Sequence, residues 1–536
     1  MKRNIAKLLI AATAFIFFLS CNSNQTENET IVDDPANEVI YHVVQRSFYD
    51  SNGDLQGDLN GLREKLDYLQ ELGITSVLLL PLYESEYYHN YFSGDFEKID
   101  PEFGSKEDYF NLVKELHRRG MKLYMDMETQ YVTEDHIWFK DSYKNPKSQY
   151  SDYLIYNGPD NTNPESIIFN LTEIPGHDGK VKKATTVNLN SKKVWEYNYK
   201  LFKYWADPNG DGNFDDGVDG FRFDHMMDDL DEKGKLTGLF QHFWKPLVDS
   251  LKKVNPKLKF VAEQAYWGSF GFEYFKEGGV DRVFAFRIAD AIRSFDKNKI
   301  ATMADSTFSF IPDGKEHVVF LSNHDMDRFS NVAAGIPGKL KIGAALNLFI
   351  GGIPSIYYGQ EIGMRGAKSW GKYGMTDAND IPIREAFEWF AADSGNGMAL
   401  WHKGNGPWWD DTNLKPNDGI SLEEQKNDSS SLWNFYKKVI RLRRTHSPFV
   451  RGLYQTLNNN NSYVLSFLRY EADQAGLVII NLSSVPQQAV IDISNSKFAF
   501  KQPDMKQLMG KDNATMKGSD LSISLPAYSI NVWEIK

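Results

Sequence analysis

Cysteine is almost missing: one residue, Cys21, in 536, so the chain can form no internal disulfide. Positive charge is also short. Sixty Lys and Arg face 72 Asp and Glu, a formal net charge of −12 that argues against a nucleic-acid backbone as partner. No apolar run beyond residue 19 is long enough to cross a bilayer. No internal repeat is evident, and no Gly-rich phosphate loop follows the first strand, which counts against an open dinucleotide-binding sheet. What is abundant is aromatic: 14% Phe, Trp and Tyr, suited to stacking on sugars as well as to filling a large core.

The N-terminus reads as targeting. Lys2, Arg3 and Lys7 precede an apolar run from Leu8 to Leu19 that is short for a membrane span. Cys21 follows Leu19-Ser20 and resembles a bacterial lipoprotein cleavage site, with the thiol lipidated; an ordinary signal peptide that contains a cysteine is the alternative. Residues 1–21 are thus expected as signal peptide and 22–37, nearly devoid of apolar residues, as a flexible tether.

From residue 38 short apolar strands alternate with helical patterns. The strands are expected at Val39–Phe48, Thr75–Pro81, Lys122–Met127, Gly220–Asp224, Lys259–Glu263, Arg282–Phe286, Val318–Asn323 and Ser355–Tyr358. Between the first two, Leu59, Leu62, Leu66, Leu69 and Leu72 keep helical spacing and Gly73 closes the helix. Eight βα units imply an α/β fold, a closed (β/α)8 barrel of the TIM type. Residues 132–187, rich in Asn, Tyr, Pro and Gly, interrupt the rhythm after the third strand and read as a small inserted domain between barrel segments 38–131 and 188–448. From 449 to 536 alternating strands predict an antiparallel β-sandwich.

Three expected strands end in an acid: Asp224, Glu263 and Asp325. Barrel chemistry sits where strands end. Cleaving a glycosidic bond needs one carboxylic acid to protonate the leaving oxygen and a carboxylate across the sugar.

The runs Gly220-Phe221-Arg222-Phe223-Asp224, Ala262-Glu263 and Ser322-Asn323-His324-Asp325 resemble the α-amylase family, glycoside hydrolase family 13. Asp50-Ser51-Asn52-Gly53-Asp54, Ile99–Gly104, Tyr357–Met364 and Ile383-Arg384-Glu385 support the likeness over nearly all of residues 38–536. The resemblance implies a retaining double displacement on α-1,4 or α-1,6 glucosidic bonds. Asp224 is then the nucleophile, Glu263 the acid and base, and Asp325 the carboxylate that grips sugar hydroxyls. Arg222, His324, Tyr91 and Arg328 are the expected sugar-side residues. Glu263 should keep its proton through a raised pKa, and Arg222 should hold Asp224 ionised. A glucanotransferase and a surface glycan-binding protein without turnover are the competing readings.

The sequence also departs from the family. Asp126 is followed by Met127-Glu128-Thr129-Gln130-Tyr131, so Gln130 stands for a usual calcium ligand and Tyr131 for a histidine that contacts the cleaved sugar. His225-Met226-Met227-Asp228 stands where many amylases carry Lys-His. For calcium, Asp50, Asn52, Asp54 and Asp58 form one spaced oxygen set and Asp207, Asn209, Asp211 and Asp215 a second; Val218 stands where an EF-hand has its last Glu. The expected partners are an α-glucan, a membrane reached only through the lipid anchor at Cys21, and other surface glycan-uptake proteins. An outer-membrane location is expected by analogy.

Overall fold

The computed structural model describes residues 30–404, 406–500, 505–512 and 514–536. Cys21 and the expected signal peptide lie outside the described residues. Eight parallel strands close a barrel: β1 (Ile40–Val43), β2 (Ser76–Leu79), β3 (Lys122–Met127), β4 (Gly220–Met226), β5 (Lys259–Gln264), β6 (Arg282–Phe284), β7 (Glu316–Val319) and β8 (Ile353–Tyr357). Each pairs with its neighbours in sequence, and β1 pairs with β8. All eight expected strands are present. β7 stops before its expected end, so Phe320–Asp325 leave the ladder and form the loop that carries His324 and Asp325.

The barrel interior is a packed layer of Ile40, Leu78, Tyr124, Val261, Phe284, Val318 and Ile353. Its lower end is plugged by Arg282, whose guanidinium donates to Glu38 at 2.9 and 3.1 Å and to the Tyr124 hydroxyl at 3.1 Å. The last residues of the expected tether are tied down. Val32 N–H donates to Arg444 O at 2.9 Å, and the Asn37 amide donates to Val32 O and Arg444 O.

After β3 the chain makes the small insert, a three-stranded sheet of Tyr131–Thr133, Val181–Thr186 and Glu173–Pro175. The loop after β4 is fastened to it: Lys233 Nζ donates to Ser166 O at 2.6 Å and Ile167 O at 2.9 Å, and Lys235 pairs with Glu165. These contacts set one rim of the cleft described below.

The C-terminal domain is an antiparallel sandwich of a five-stranded and a four-stranded sheet around Val464, Leu477, Ile479, Ile491, Leu521 and Trp533. At its junction with the barrel, two buried arginines meet carbonyls instead of acids. Arg469 donates to Gly452 O at 2.7 Å and Phe349 O at 3.2 Å; Arg443 donates to Gly352 O at 2.8 Å, Ala36 O at 3.2 Å and Phe449 O. Phe349 ends the helix Pro337–Phe349, where the helix dipole favours a cation. Burial still lowers both guanidinium pKa values, to about 9 for Arg469 and about 10 for Arg443. Among the described residues no helix is long and apolar enough to cross a membrane.

Candidate active site

Strand β4 explains why the site forms where it does. Successive side chains alternate faces, so Phe221 and Phe223 point outward to Phe202, with ring centroids 4.8 and 5.5 Å away, and Phe223 also meets Trp244 at 5.0 Å. Gly220, Arg222 and Asp224 share the opposite, inner face. Gly220 leaves room that no other residue could: a Cβ there would lie 2.1 Å from Lys259 O and 2.7 Å from the Tyr124 ring. Strand pairing sets Arg222 beside Asp126 on β3 and Val261 on β5.

The buried Arg222 guanidinium is the hub. One terminal nitrogen, Nη1, meets Asp224 Oδ1 at 2.6 Å and also Asp126 Oδ2; the other, Nη2, meets Glu263 Oε2 at 2.9 Å. Tyr91 donates its hydroxyl to Asp126 Oδ2 at 2.7 Å and lies 2.9 Å from His324 Nε2, its ring stacked on the imidazole. Because the Tyr91 proton goes to Asp126, His324 Nε2 is assigned as donor to Asp325 Oδ2, 3.0 Å away. Arg384, which the sequence marked only as part of a motif, donates to the other Asp325 oxygen at 3.1 Å and to His324 O at 2.8 Å. His225 follows Asp224 with φ 44°, a left-handed backbone that is costly for a residue with a Cβ. That turn aims its N–H at Glu263 Oε2, 3.1 Å away.

Tyr91, Asp224, His225, Glu263, His324, Asp325 and Arg384 line one cleft of about 280 Å³, together with His89, Phe92, Glu128, Tyr131, Ile168, Phe169, Trp267, Lys368, Asp377 and Asp380. Asp224, Glu263, Asp325, Tyr91 and His324 therefore converge, and Arg222 supports them from beneath. Arg328 does not join them, which corrects the expectation. It is 1% exposed, donates to Tyr358 O at 2.6 Å, and lies over the Tyr357 and Tyr358 rings at 4.7 and 4.6 Å.

The protonation pattern also differs from expectation. Burial raises the Asp224 pKa well above the usual carboxylate range, with Glu263, Asp126 and Asp325 adding to it against Arg222. Burial raises Glu263 as well, but Arg222 and the His225 N–H outweigh it and bring Glu263 below its ordinary value. The physical reason is that Arg222 is shared between the two carboxylates, and Asp224 also faces the charges of Glu263 and Asp126. Asp325 lies well below the usual range because His324, Arg384 and Arg222 overcome its burial.

The departures from the family acquire partners. The Gln130 amide donates to Asp224 O at 2.5 Å and His225 O at 3.3 Å, so it braces the backbone behind the catalytic strand. Tyr131 donates to Asp231 Oδ1 at 2.5 Å, and His225 Nε2 lies 3.1 Å from the same oxygen. Asp228 accepts from Phe240 N–H at 2.8 Å. Glu128 went unrecognised as a site residue. Its Oε1 accepts the Gln130 and Tyr131 N–H groups at 2.6 and 2.8 Å, its Oε2 is buried without a partner, and burial pushes its pKa up to about 8.

At the first acidic loop, Asp50 accepts from Asn52, Gly53 and Leu55 N–H groups and Asp54 from Gln56 N–H, while Asn52 accepts from Asp54 N–H. Asp58 caps the helix Leu59–Glu64 by accepting from Gly61 N–H at 2.7 Å and also accepts from Ser51. At the second, Asn209 accepts from Asp211 N–H and Asp207 Oδ2 from Gly212 N–H. Asp207 Oδ1 and Asp216 Oδ1 there are buried without partners, and Asp215 stands between them in the chain. Among the described residues no three His, Cys, Asp or Glu side chains form a ready-made metal cluster.

Residues 42–452 match the α-amylase catalytic domain and residues 454–532 the maltogenic amylase C-terminal domain. α-Amylase 3 of Dictyoglomus thermophilum is 30% identical over 476 residues, covering 84% of this chain and 85% of the relative. An oligo-1,6-glucosidase of Parageobacillus thermoglucosidasius is 29% identical, covering 83% of this chain and 90% of the relative. The crystal structure of an α-amylase from H. orenii superposes with a TM-score of 0.75 at 27% identity, covering 93% of this chain and 99% of that one. With a catalytic-domain match over most of its length and three acids meeting at the strand ends, the chain belongs to the α-amylase family and is a glycoside hydrolase of α-glucosidic bonds.

Proposed function

We propose that the enzyme cleaves α-1,4 or α-1,6 bonds of starch-like glucans or maltooligosaccharides with retention of configuration, through Asp224, Glu263 and Asp325. The observation that carries this is the shared Arg222 fork, which holds Asp224 and Glu263 on adjacent nitrogens. Two carboxylates so close suit the retaining arrangement, for which a separation of about 5–5.5 Å is typical. Asp224 attacks the anomeric carbon and displaces the leaving oxygen, which takes its proton from Glu263. Water then attacks the glycosyl-enzyme ester, giving its proton to Glu263, and Asp224 is released. Attack requires the proton on Glu263 and the charge on Asp224, opposite to the directions in which burial and Arg222 push the two, so sugar binding must reset the pair. Asp325, held ionised by His324 and Arg384, is the acceptor for sugar hydroxyls, and Tyr91 stacks its ring on the same sugar.

The test is a product profile on amylose, pullulan, isomaltooligosaccharides, cyclodextrins and sucrose beside Asp224→Asn. Wild-type activity on any of the glucans, absent in the variant, supports the reading; identical profiles on every substrate sink it. Transfer to a sugar acceptor is the second reading, favoured by the exposed Trp267 and Phe169 on the cleft rim, 56% and 75% exposed. Product analysis at high maltooligosaccharide concentration separates the two.

Calcium belongs to the same proposal. The oxygen-only donors Asp50, Asn52, Asp54 and Asp58 suit a hard cation, and so do Asp207, Asn209, Asp211 and Asp215. The second loop fits better. Besides its two unpartnered buried oxygens, Asp216 is raised by burial and by the charges of Asp207, Asp215 and Asp211, a repulsion that a divalent ion would relieve. Bound there, the ion would brace the segment leading into β4. Export and lipid attachment at Cys21, on an outer membrane beside other glycan-uptake proteins, rest on the basic and apolar N-terminal run before that cysteine.

A further inference from the structure

Two turns joined by a single lysine each carry a pair of non-glycine residues in left-handed backbone. Phe169 (φ 58°) and Asn170 (φ 58°) belong to the insert, Asp231 (φ 58°) and Glu232 (φ 56°) to the loop after β4. Such conformations cost free energy and persist only where surrounding contacts hold them. The insert turn has little of its own to hold it: Ile167 is buried at its base, but none of Ile168, Phe169 and Asn170 is. Yet Ile168 and Phe169 line the cleft, and Phe169 presents an open apolar ring there.

Lys233 supplies the missing hold. Its side chain is 15% exposed, and its ammonium is enclosed by oxygens: Ser166 O at 2.6 Å, Ile167 O at 2.9 Å, Ser166 Oγ at 3.2 Å and Asp231 Oδ2 at 3.1 Å. Three of these come from the two residues that lead into the insert turn, and the fourth from the loop after β4. Without the ammonium, Ile167 O would lose this donor at a residue that is wholly buried. Asp231 carries the link onward. Its other oxygen accepts the Tyr131 hydroxyl and lies 3.1 Å from His225 Nε2, and both of those side chains line the cleft. Burial pushes the Asp231 carboxyl up, but His225, Tyr131 and Lys233 outweigh it and bring it below its ordinary value. One cation and one anion therefore tie both turns to the cleft wall.

We propose that Lys233 is a positioning residue whose ammonium latches the insert turn to the loop after β4, so that Phe169 is held over a bound maltooligosaccharide while Asp231 keeps His225 turned to the same cleft. Phe169 offers an apolar face to the C–H side of a sugar ring, and it can do so only where its backbone is fixed. Released, the turn relaxes from its left-handed backbone and withdraws that face. Affinity for oligosaccharide should then fall more than the rate of bond cleavage, because Lys233 bonds to none of the three reacting acids. The inference rests on the α-glucan substrate proposed above.

The test is a double-variant cycle on the full chain hydrolysing maltoheptaose. Lys233→Met is expected to raise KM about tenfold and to lower kcat by less than about threefold. Phe169→Ala alone should raise KM about three- to fivefold, and adding it to Lys233→Met should change nothing further, because the ring has already left its place. KM effects that multiply overturn the proposal, as does a Lys233→Met enzyme with unchanged KM. Lys233→Gln, neutral but still a hydrogen-bond donor, runs the same cycle should Lys233→Met not fold. Hydrogen exchange read by mass spectrometry tests the latch without turnover. In the lysine variant the amides of residues 166–171 should exchange about tenfold faster with the barrel strands unchanged, and equal rates overturn the proposal. A wild type that leaves maltoheptaose intact, with the exchange result as expected, would count against the substrate proposed above and not against the latch.

Discussion

The cleft has two sets of buried acids, and they are treated oppositely. Around Arg222, Asp126, Asp224 and Glu263 each meet a guanidinium nitrogen, and Asp325 meets both His324 and Arg384. Away from that hub, Glu128 keeps one unpartnered oxygen and Asp377 two. Paired acids sit in a field that sets which of them ionises, which is what bond cleavage requires. Unpaired acids drift toward neutrality and remain free to bond a ligand. The same residue type serves two purposes because only the first set is bonded directly to a guanidinium.

Removing the hub's working acids should have the largest effect. Asp224→Asn and Glu263→Gln are each expected to lower kcat/KM by roughly 10⁴-fold or more on any glucan the wild type cleaves, with the fold retained by circular dichroism. Next comes the hub. Arg222→Met leaves Asp126 and Asp224 buried without their cation, so a loss of roughly 10³-fold is expected with a thermal midpoint several degrees lower.

The unpaired set should answer to pH. Glu128 binds its proton up to about 8 in the folded chain but only to the ordinary 4.5 when unfolded. Between those values the folded state holds the extra proton, so stability from this group is full below the lower value and is lost as pH rises toward 8. Glu128→Gln, uncharged throughout, should therefore flatten the fall in thermal midpoint between pH 5 and 8. A variant that falls as steeply as wild type would break the contrast between the two sets. The smallest effect belongs to the rim: Trp267→Ala should raise KM for long maltooligosaccharides about three- to tenfold, with less change on a monoglucoside.

Much of this was legible in the sequence for a simple reason. Asp224 and Glu263 lie in the last residues of apolar strands and Asp325 on the loop that leaves β7, and a barrel places strand ends together whatever the details of packing. The inner face of β4 is equally plain from the alternation of Phe221 and Phe223 with Arg222 and Asp224. The sandwich was harder to read. Neither Asp520–Leu525 nor Met505–Met509 was expected as a strand: the first alternates exposed and buried residues, and the second is half-exposed with no sharp period. Glu128 and Asp377 could not be found from spacing, because their significance is the lack of a partner, and partners come from other segments. Arg328 shows the reverse error. A cation three residues after Asp325 suggests sugar contact, yet two tyrosine rings and a carbonyl claim it inside the wall. The proton assignment failed for a related reason: one guanidinium was credited to Asp224, and the fold divides it with Glu263.

The central claim, that Asp224 attacks and Glu263 serves as acid and then base, is tested most directly by the configuration of the first-formed product. Proton NMR on the wild-type enzyme hydrolysing a maltooligosaccharide, read in the first minutes before mutarotation, should show the α-anomer of the new reducing end appearing first. The β-anomer appearing first would contradict the double displacement and with it the nucleophilic role of Asp224.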